Sequence, residues 1–311
     1  MKLVFFGSSD FSIPVLSALL NSSHQIELVV TTPPKKKGRG QKESKSIVHD
    51  WALSHSLACT APADIKSLDF CGELKKLSPD CFVVASYGKI LPNSILKIPI
   101  KFPINVHPSL LPKYRGAAPI ARQLLNGETH SGVTLAAITE KLDAGEIMAQ
   151  QEIDIQENDD ALSLGKTLAE LGGALALRVL DQIKQNKVEL HPQNEKEATY
   201  AFKFTKEMGK INWNESAGRI HNQIRAFVPW PSAYTFWKKA RIKILKSEKS
   251  EISGKNQPPA TILEIHKDGF MRVQAKSSSV RIHCVQPESG KSMSAHAFAI
   301  GRKIKVGDQF A

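Results

Sequence analysis

Asn105 and His107 stand two residues apart at the polar end of an apolar run, FPINVH, so in an extended chain their side chains leave the same face. A donor amide beside an imidazole suits proton movement and the stabilisation of developing negative charge. The chain continues NVHPSLLPKYRGAAP. Pro108 and Pro112 stiffen the exit, Ser109 and Arg115 add polar groups, and Gly116 leads to a helix whose start is marked by Pro119. Asp143, in KLDAGE, lies in the tight connection after the next strand and can close the set with a carboxylate. A lone histidine is ordinarily a hydrogen-bonded structural residue, but here Asn, His, Ser and Arg converge on one strand exit. One imidazole and one carboxylate with no second histidine nearby form a poor zinc set, so no metal is expected. Gly7 is followed by Ser8, Ser9 and Asp10 without further glycines in GxGxxG register, which argues against a nicotinamide dinucleotide.

These side chains need a sheet to aim them. Apolar runs at 2–7, 26–32, 80–87, 102–107, 132–139 and 146–155 predict strands, and 69–77, 119–126 and 160–183 predict helices. Continuous apolar strands alternating with helices imply an α/β fold, a mostly parallel Rossmann-like sheet with helices on both faces. Clefts in such sheets open at the carboxyl ends of the strands, where 105–107 lies. The helix at 160–183 closes a first domain, 1–189, and the polar, aperiodic stretch 190–205 reads as a linker. In 206–311 a helix capped near Asn214 precedes five short alternating runs, SAYTFW, ARIKILKS, PATILEIH, GFMRVQA and SSVRIHCV. They predict a small basic β-barrel, OB-like in strand count and charge, with an all-β sandwich as the alternative.

The net charge of +12 over 311 residues is unevenly placed. Residues 206–311 carry 19 Lys and Arg against 8 Asp and Glu, whereas 1–205 are nearly balanced. Within the first segment, KKKGRGQKESK at 35–45 holds six basic residues and one acidic. Basic charge gathered in one domain and one Gly-interrupted loop predicts a polyanionic partner, with the loop mobile until phosphate orders it. No apolar run is long enough for a membrane span, the start is too short for a signal-peptide core, and no membrane association is expected. Four irregularly spaced cysteines fit neither a zinc ribbon nor a disulfide framework, which points to a reduced, cytoplasmic setting.

Taken together, NVHPSLLPKYRGAAPI with SYGKILP before it and LDAGE after it resembles the catalytic domain of the methionyl-tRNA formyltransferases, in the folate-dependent formyltransferase superfamily. FFGSSDFSIPVL resembles that family's start, 35–45 its basic loop inserted after the second strand, and HNQIRAFVPWPSAY the opening of its C-terminal domain. The likeness covers essentially the whole chain. It implies a formyltransferase sheet followed by a tRNA-binding barrel, and transfer of the formyl group of 10-formyltetrahydrofolate to the α-amine of methionyl initiator tRNA. It further implies that Asn105, His107 and Asp143 are catalytic, with Asn105 and a protonated His107 donating to the formyl oxygen and Asp143 supporting the imidazolium. Folate contacts are expected at Ser86, Tyr87, Gly88, Ile90 and Leu91, at Ser109, Leu110, Leu111 and Pro112, and at Leu142. tRNA contacts are expected at Lys35, Lys36, Lys37, Arg39 and Lys42, and at Lys238, Lys239, Arg241 and Lys243. Neither a metal nor an obligate protein partner is implied, and the setting is a bacterial cytoplasm. Rival readings are a formyltransferase for a small amine, a hydrolase releasing formate from the same folate, and a non-catalytic RNA-binding protein.

Overall fold

Runs such as KLVFFG and CFVVA lack polar alternation because each strand is covered on both faces. The computed structural model bears this out over residues 1–37, 42–254 and 256–311, the side chains of Lys36, Lys37 and Lys42 also being left aside. The chain forms two compact units. One comprises Met1–Pro119, His130–Asp154 and Gly165–Ala201, and the other Ile120–Thr129, Ile155–Leu164 and Phe202–Ala311.

In the first unit, β1 (Lys2–Gly7) leads to α1 (Ser12–Leu20) and β2 (Gln25–Val30), followed by a short hairpin of β3 (Lys35–Lys37) and β4 (Lys42–Ser44). Then come α2 (Ile47–Ser54), β5 (Cys59–Thr60), α3 (Leu68–Leu77), β6 (Cys81–Ala85), α4 (Asn93–Leu96) and β7 (Phe102–His107). After β8 (Arg115–Gly116) the chain runs through α5 (Pro119–Asn126), which beyond Pro119 belongs to the second unit, and the strands β9 (His130–Ala137) and β10 (Ile147–Asp154) are joined by the turn that holds Asp143. Helix α6 (Ala161–Lys184), which belongs to the first unit from Gly165 on, and the two-residue β11 (Tyr200–Ala201) follow.

The main sheet has the order β10-β9-β7-β6-β1-β2-β5. The five strands from β7 to β5 are parallel; β9 runs antiparallel to β7, and β10 antiparallel to β9 and so in the direction of the five. Val4, Phe6, Phe82 and Val84 face Phe70 and Leu74 of α3 and Ile95 of α4. On the opposite side, the backbone of α6 at Gly172 comes close to Val106, Val133 and Val15. Chain order reverses about β1, with β2 on one side and β6 on the other, and this switch point is where an α/β sheet opens its crevice.

Two expectations need correction here. Residues 35–45 are not simply a loop, since 35–37 and 42–44 pair as strands. Residues 190–201, which read as linker, belong to the first unit: β11 pairs with β8, and Arg115 N donates to Thr199 O at 2.8 Å.

In the C-terminal part of the second unit, α7 (Ala217–Ala226) is capped two residues past Asn214 by Ser216, whose side chain accepts from Arg219 N. Asn214 is drawn into a turn in which Asn212 Oδ1 accepts from its backbone N–H. Strands β12 (Ala233–Trp237), β13 (Ala240–Ser250), β14 (Ile262–Ile265), β15 (Met271–Gln274) and β16 (Ser279–Pro287) form an antiparallel sheet ordered β12-β13-β16-β15-β14. A short β17 (Met293–Ser294) pairs with β16 and leads into α8 (Ala295–Arg302), which the sequence reading did not foresee. The C-terminal tail bonds to both edge strands, Ala311 to Phe236 and Asp308 to Ile262, and so closes the sheet into a barrel. Inward Ile242, Ile244, Val273, Val280 and Ile282 fill it.

Candidate active site

Strand β7 alternates as its sequence dictates. Ile104 and Val106 are 1% exposed on one face, while Asn105 and His107 project from the other. Asn105 pairs with Val84 of β6 and Ala136 of β9, so its position is fixed from both sides. The connection between β9 and β10 brings Asp143 to the same place. Its backbone is in the left-handed region, φ 51°. The turn closes through Gly145, where an added Cβ would lie 1.7 Å from Ala137 O, so no other residue fits without moving the backbone.

Asp143 is the hub. Its Oδ1 accepts from Asn105 Nδ2 at 3.0 Å and its Oδ2 from Gly116 N at 2.8 Å. His107 Nδ1 lies 3.7 Å from Oδ2, with both side chains almost wholly buried. His107 Nε2 is 3.0 Å from Tyr114 O. A carbonyl can only accept, so the ring proton belongs on Nε2, leaving Nδ1 to take up a proton beside the carboxylate. Asn105 keeps its second amide hydrogen for another acceptor. The set offers a donor amide, a titratable ring and a buried carboxylate, the parts needed to stabilise a developing oxyanion and to relay a proton.

The loop after β7 is braced by its own polar groups. Ser109 Oγ donates to Lys113 O at 2.7 Å, and Thr134 Oγ1 donates to Ser109 O and accepts from Leu111 N. Gln150 Nε2 donates to Leu111 O. Ser109 is fully buried and Leu111 nearly so, which makes their side chains supports of the loop. Leu110 and Pro112 are half-buried.

The loop after β6 divides likewise. Tyr87 and Leu91 are packed into the core under the sheet, the Tyr87 ring edge-on to Phe6 at 5.4 Å, and burial pushes its phenol up to about 12. Ser86, Gly88 and Ile90 are exposed, Ile90 at 76%, and so is Leu142 beside Asp143. The backbone here is turned by positive φ at Ser86 and Gly88.

Arg115 is 2% exposed, and its guanidinium is committed to protein partners. It donates through Nε and Nη2 to Gln193 Oε1 and through Nη1 and Nη2 to Glu195. The hydrogen bond to Glu195 holds the guanidinium proton more tightly and lowers the Glu195 carboxyl. Gln193 Nε2 in turn donates to Asp143 O and Gly145 O. Sequence reading missed Gln193 and Glu195, because they sit in a polar, aperiodic run that carries no local signal.

In the second unit, Lys238 and Lys239 form the exposed tip of the β12–β13 hairpin, with Lys238 Nζ 5.8 Å from the Trp237 ring. Tyr234 pairs with Lys243 and Phe236 with Arg241, and the Arg241 guanidinium lies 5.4 Å over Tyr234. These residues alternate with buried Ala233, Thr235, Ile242 and Ile244, so they share the outer face of the barrel. Lys210 lies over Phe236 at 5.8 Å and adds charge there. In the first unit Lys35 is exposed on β3, Lys36, Lys37 and Lys42 are placed only as strand residues, and Arg39 lies outside the described residues. Among the described residues no group of three or more His, Cys, Asp and Glu is arranged to hold a metal, and no helix is long and apolar enough to cross a membrane.

Residues 1–180 match the family model described as Formyl transferase, and residues 203–303 that of Formyl transferase, C-terminal domain. The chain is similar to the methionyl-tRNA formyltransferase of Caldanaerobacter subterraneus subsp. tengcongensis, 41% identical over 308 residues that cover 99% of each chain. Among solved structures it is similar to a variant of HypX from Aquifex aeolicus, with a TM-score of 0.68 and 16% identity over 99% of this chain. The likeness covers only 48% of HypX, so this chain spans about half of that protein. It is also similar to an N-formyltransferase from Helicobacter canadensis in complex with folinic acid and dTDP-3-aminofucose, with a TM-score of 0.66, 25% identity and coverage of 91% of this chain and 98% of that one.

Proposed function

The chain belongs to the formyl transferase family, and on that premise we propose that Asn105, His107 and Asp143 are the residues that carry its chemistry. The enzyme is a methionyl-tRNA formyltransferase. It transfers the formyl group of 10-formyltetrahydrofolate to the α-amine of methionyl initiator tRNA, giving N-formylmethionyl-tRNA and tetrahydrofolate.

The reaction forms one C–N bond and breaks another. The neutral α-amine attacks the formyl carbon, the carbonyl electrons move onto oxygen, and they return as the bond to N10 of the folate breaks. One proton leaves the amine and one reaches N10. The free N–H of Asn105 is suited to the oxyanion, and His107 Nδ1, taking up a proton beside Asp143, is suited to the same charge and to the proton's passage. Asp143 keeps its carboxylate ready through the hydrogen bonds from Asn105 and Gly116 N. The single observation carrying this reading is that carboxylate, held between the amide and the imidazole.

The folate rests, on this reading, against the loop of Ser86, Tyr87, Gly88, Ile90 and Leu91, the segment 109–112 and Leu142. Backbone groups do the reading where Tyr87, Leu91, Ser109 and Leu111 turn their side chains inward. Lys35, Lys36, Lys37, Arg39 and Lys42 meet the acceptor end of the tRNA, and Lys238, Lys239, Arg241 and Lys243 meet phosphates elsewhere on it. The catalytic domain takes in 1–189 with the stretch to 201 that pairs onto it, and the tRNA-binding domain 206–311, in a protein of the bacterial cytoplasm.

The test is single-turnover formylation of charged initiator tRNA by Asn105→Ala, His107→Ala and Asp143→Asn. Each variant is expected to slow the chemical step by roughly 100-fold or more with folate binding retained. A variant of any of the three that turns over at the wild-type rate removes that residue from the proposed set.

A further inference from the structure

We propose that Gln193 is a positioning residue for Asp143, acting from the stretch of chain that follows α6; the inference rests on the assignment of Asp143 to the reaction. All the hydrogen-bonding capacity of the Gln193 amide is committed. Its two N–H bonds go to Asp143 O at 2.9 Å and Gly145 O at 2.7 Å, and its oxygen accepts from Arg115 Nε at 3.0 Å and Nη2 at 2.7 Å. One amide therefore holds the turn at two points, at the residue that carries the carboxylate and at the glycine two residues on. Its own orientation is set by a guanidinium that cannot swing away.

That guanidinium is anchored at two further points. Glu195 receives it through a two-pronged contact of 3.1 and 3.0 Å, and the backbone of Arg115 is stitched to Thr199 and, through β8, to Tyr200 and Ala201. The next residue, Gly116, gives its N–H to Asp143 Oδ2. Asp143 is thus held at its backbone by Gln193 and at its two carboxylate oxygens by Gly116 and Asn105. Aspartate tolerates the left-handed region better than most residues, but it is still an uncommon conformation, and these contacts help to hold it.

The prediction concerns rate and not binding, because Gln193 touches the turn and not a reactant. In the full-length enzyme, Gln193→Leu removes all four contacts. Gln193→Glu keeps an acceptor for Arg115 but sets a carboxylate oxygen against two carbonyl oxygens. Both variants are expected to lose roughly 10- to 100-fold in kcat, with KM for the charged tRNA and for the folate within about threefold of wild type. The kcat–pH profile is expected to change shape, since the carboxylate no longer stands where it faces His107. Glu195→Lys, at an exposed side chain whose loss leaves the core intact, should show the same signature at about fivefold and so serves if the Gln193 variants do not fold. Wild-type kcat in Gln193→Leu at a Tm within about 2 °C of wild type overturns the proposal, as does a loss expressed only in KM for tRNA. If Glu195→Lys is the only folded variant, wild-type kcat in it overturns the proposal equally. Asp143→Asn, run alongside, separates the two levels: if it is fully active the assignment of Asp143 fails, and if it is inactive while Gln193→Leu is normal only the positioning role fails.

Discussion

Asp143 accepts two hydrogen bonds and faces an imidazole, so exchanging it for asparagine removes the charge while leaving the shape. A loss in kcat without a matching rise in KM is the expected consequence, because the charge matters when the ring beside it gains a proton. Ser109 gives the contrasting prediction. Its hydroxyl is spent inside the loop, on Lys113 O, and the residue is fully buried. Ser109→Ala should therefore lower stability by about 1 kcal/mol, seen as a drop in Tm, and leave folate affinity within about twofold, as equilibrium titration with the folate would show. That Asn105, His107 and Asp143 come together was legible because Asn105 and His107 lie at strand spacing and Asp143 lies in a compact, glycine-containing turn. Gln193 was not, because a side chain whose partners are distant backbone carbonyls leaves no local periodicity or spacing to read.

At the scale of the element, the turn from β9 to β10 is the most exacting piece of the fold. Gly145→Ala puts a methyl where the Ala137 carbonyl already lies, so the turn must open. The expected cost is about 2 kcal/mol or more in unfolding free energy, with a larger fall in activity than the stability loss alone explains, since Asp143 moves with the turn. The β12–β13 hairpin makes a different prediction. Lys238→Glu with Arg241→Glu reverses charge on the outer face without touching the buried side of either strand. KM for tRNA should rise at least roughly tenfold and become less sensitive to salt, with KM for the folate unchanged, measured as initial rates over a salt series. The main strands and long helices were visible from their apolar periodicity. The pairing of β11 with β8 was not, for two residues in a polar run do not announce a strand, and neither did the tail at 308–311, whose hydrogen bonds close the barrel.

At the scale of the whole molecule, each unit carries a buried histidine. In the first, burial and the nearby N-terminal amine lower His24 from its ordinary value, against the pull of Asp181. In the second, burial and Arg225 lower His221, whose Nδ1 lies 3.1 Å from Ser247 Oγ. A histidine held below its unfolded value binds its proton less readily when folded, so the unfolded chain takes up more protons as pH falls. Stability is then full above about pH 6.5 and declines below it, by at most about 1.4 kcal/mol per pH unit for each histidine. Thermal denaturation from pH 7.5 to 5.5 should show falling Tm, and His221→Asn should flatten the fall in the transition of the second unit. The uneven charge, with most of the excess in 206–311, matches the size and charge of a tRNA against the small amine of a nucleotide sugar. The most direct measurement is therefore acceptor choice: initial rates of formyl transfer from 10-formyltetrahydrofolate to methionyl initiator tRNA, to free methionine and to a dTDP-linked amino sugar, under one set of conditions. Rapid formylation of the charged tRNA alone, abolished by His107→Ala, is the predicted result; formylation of the amino sugar with the tRNA untouched would contradict it.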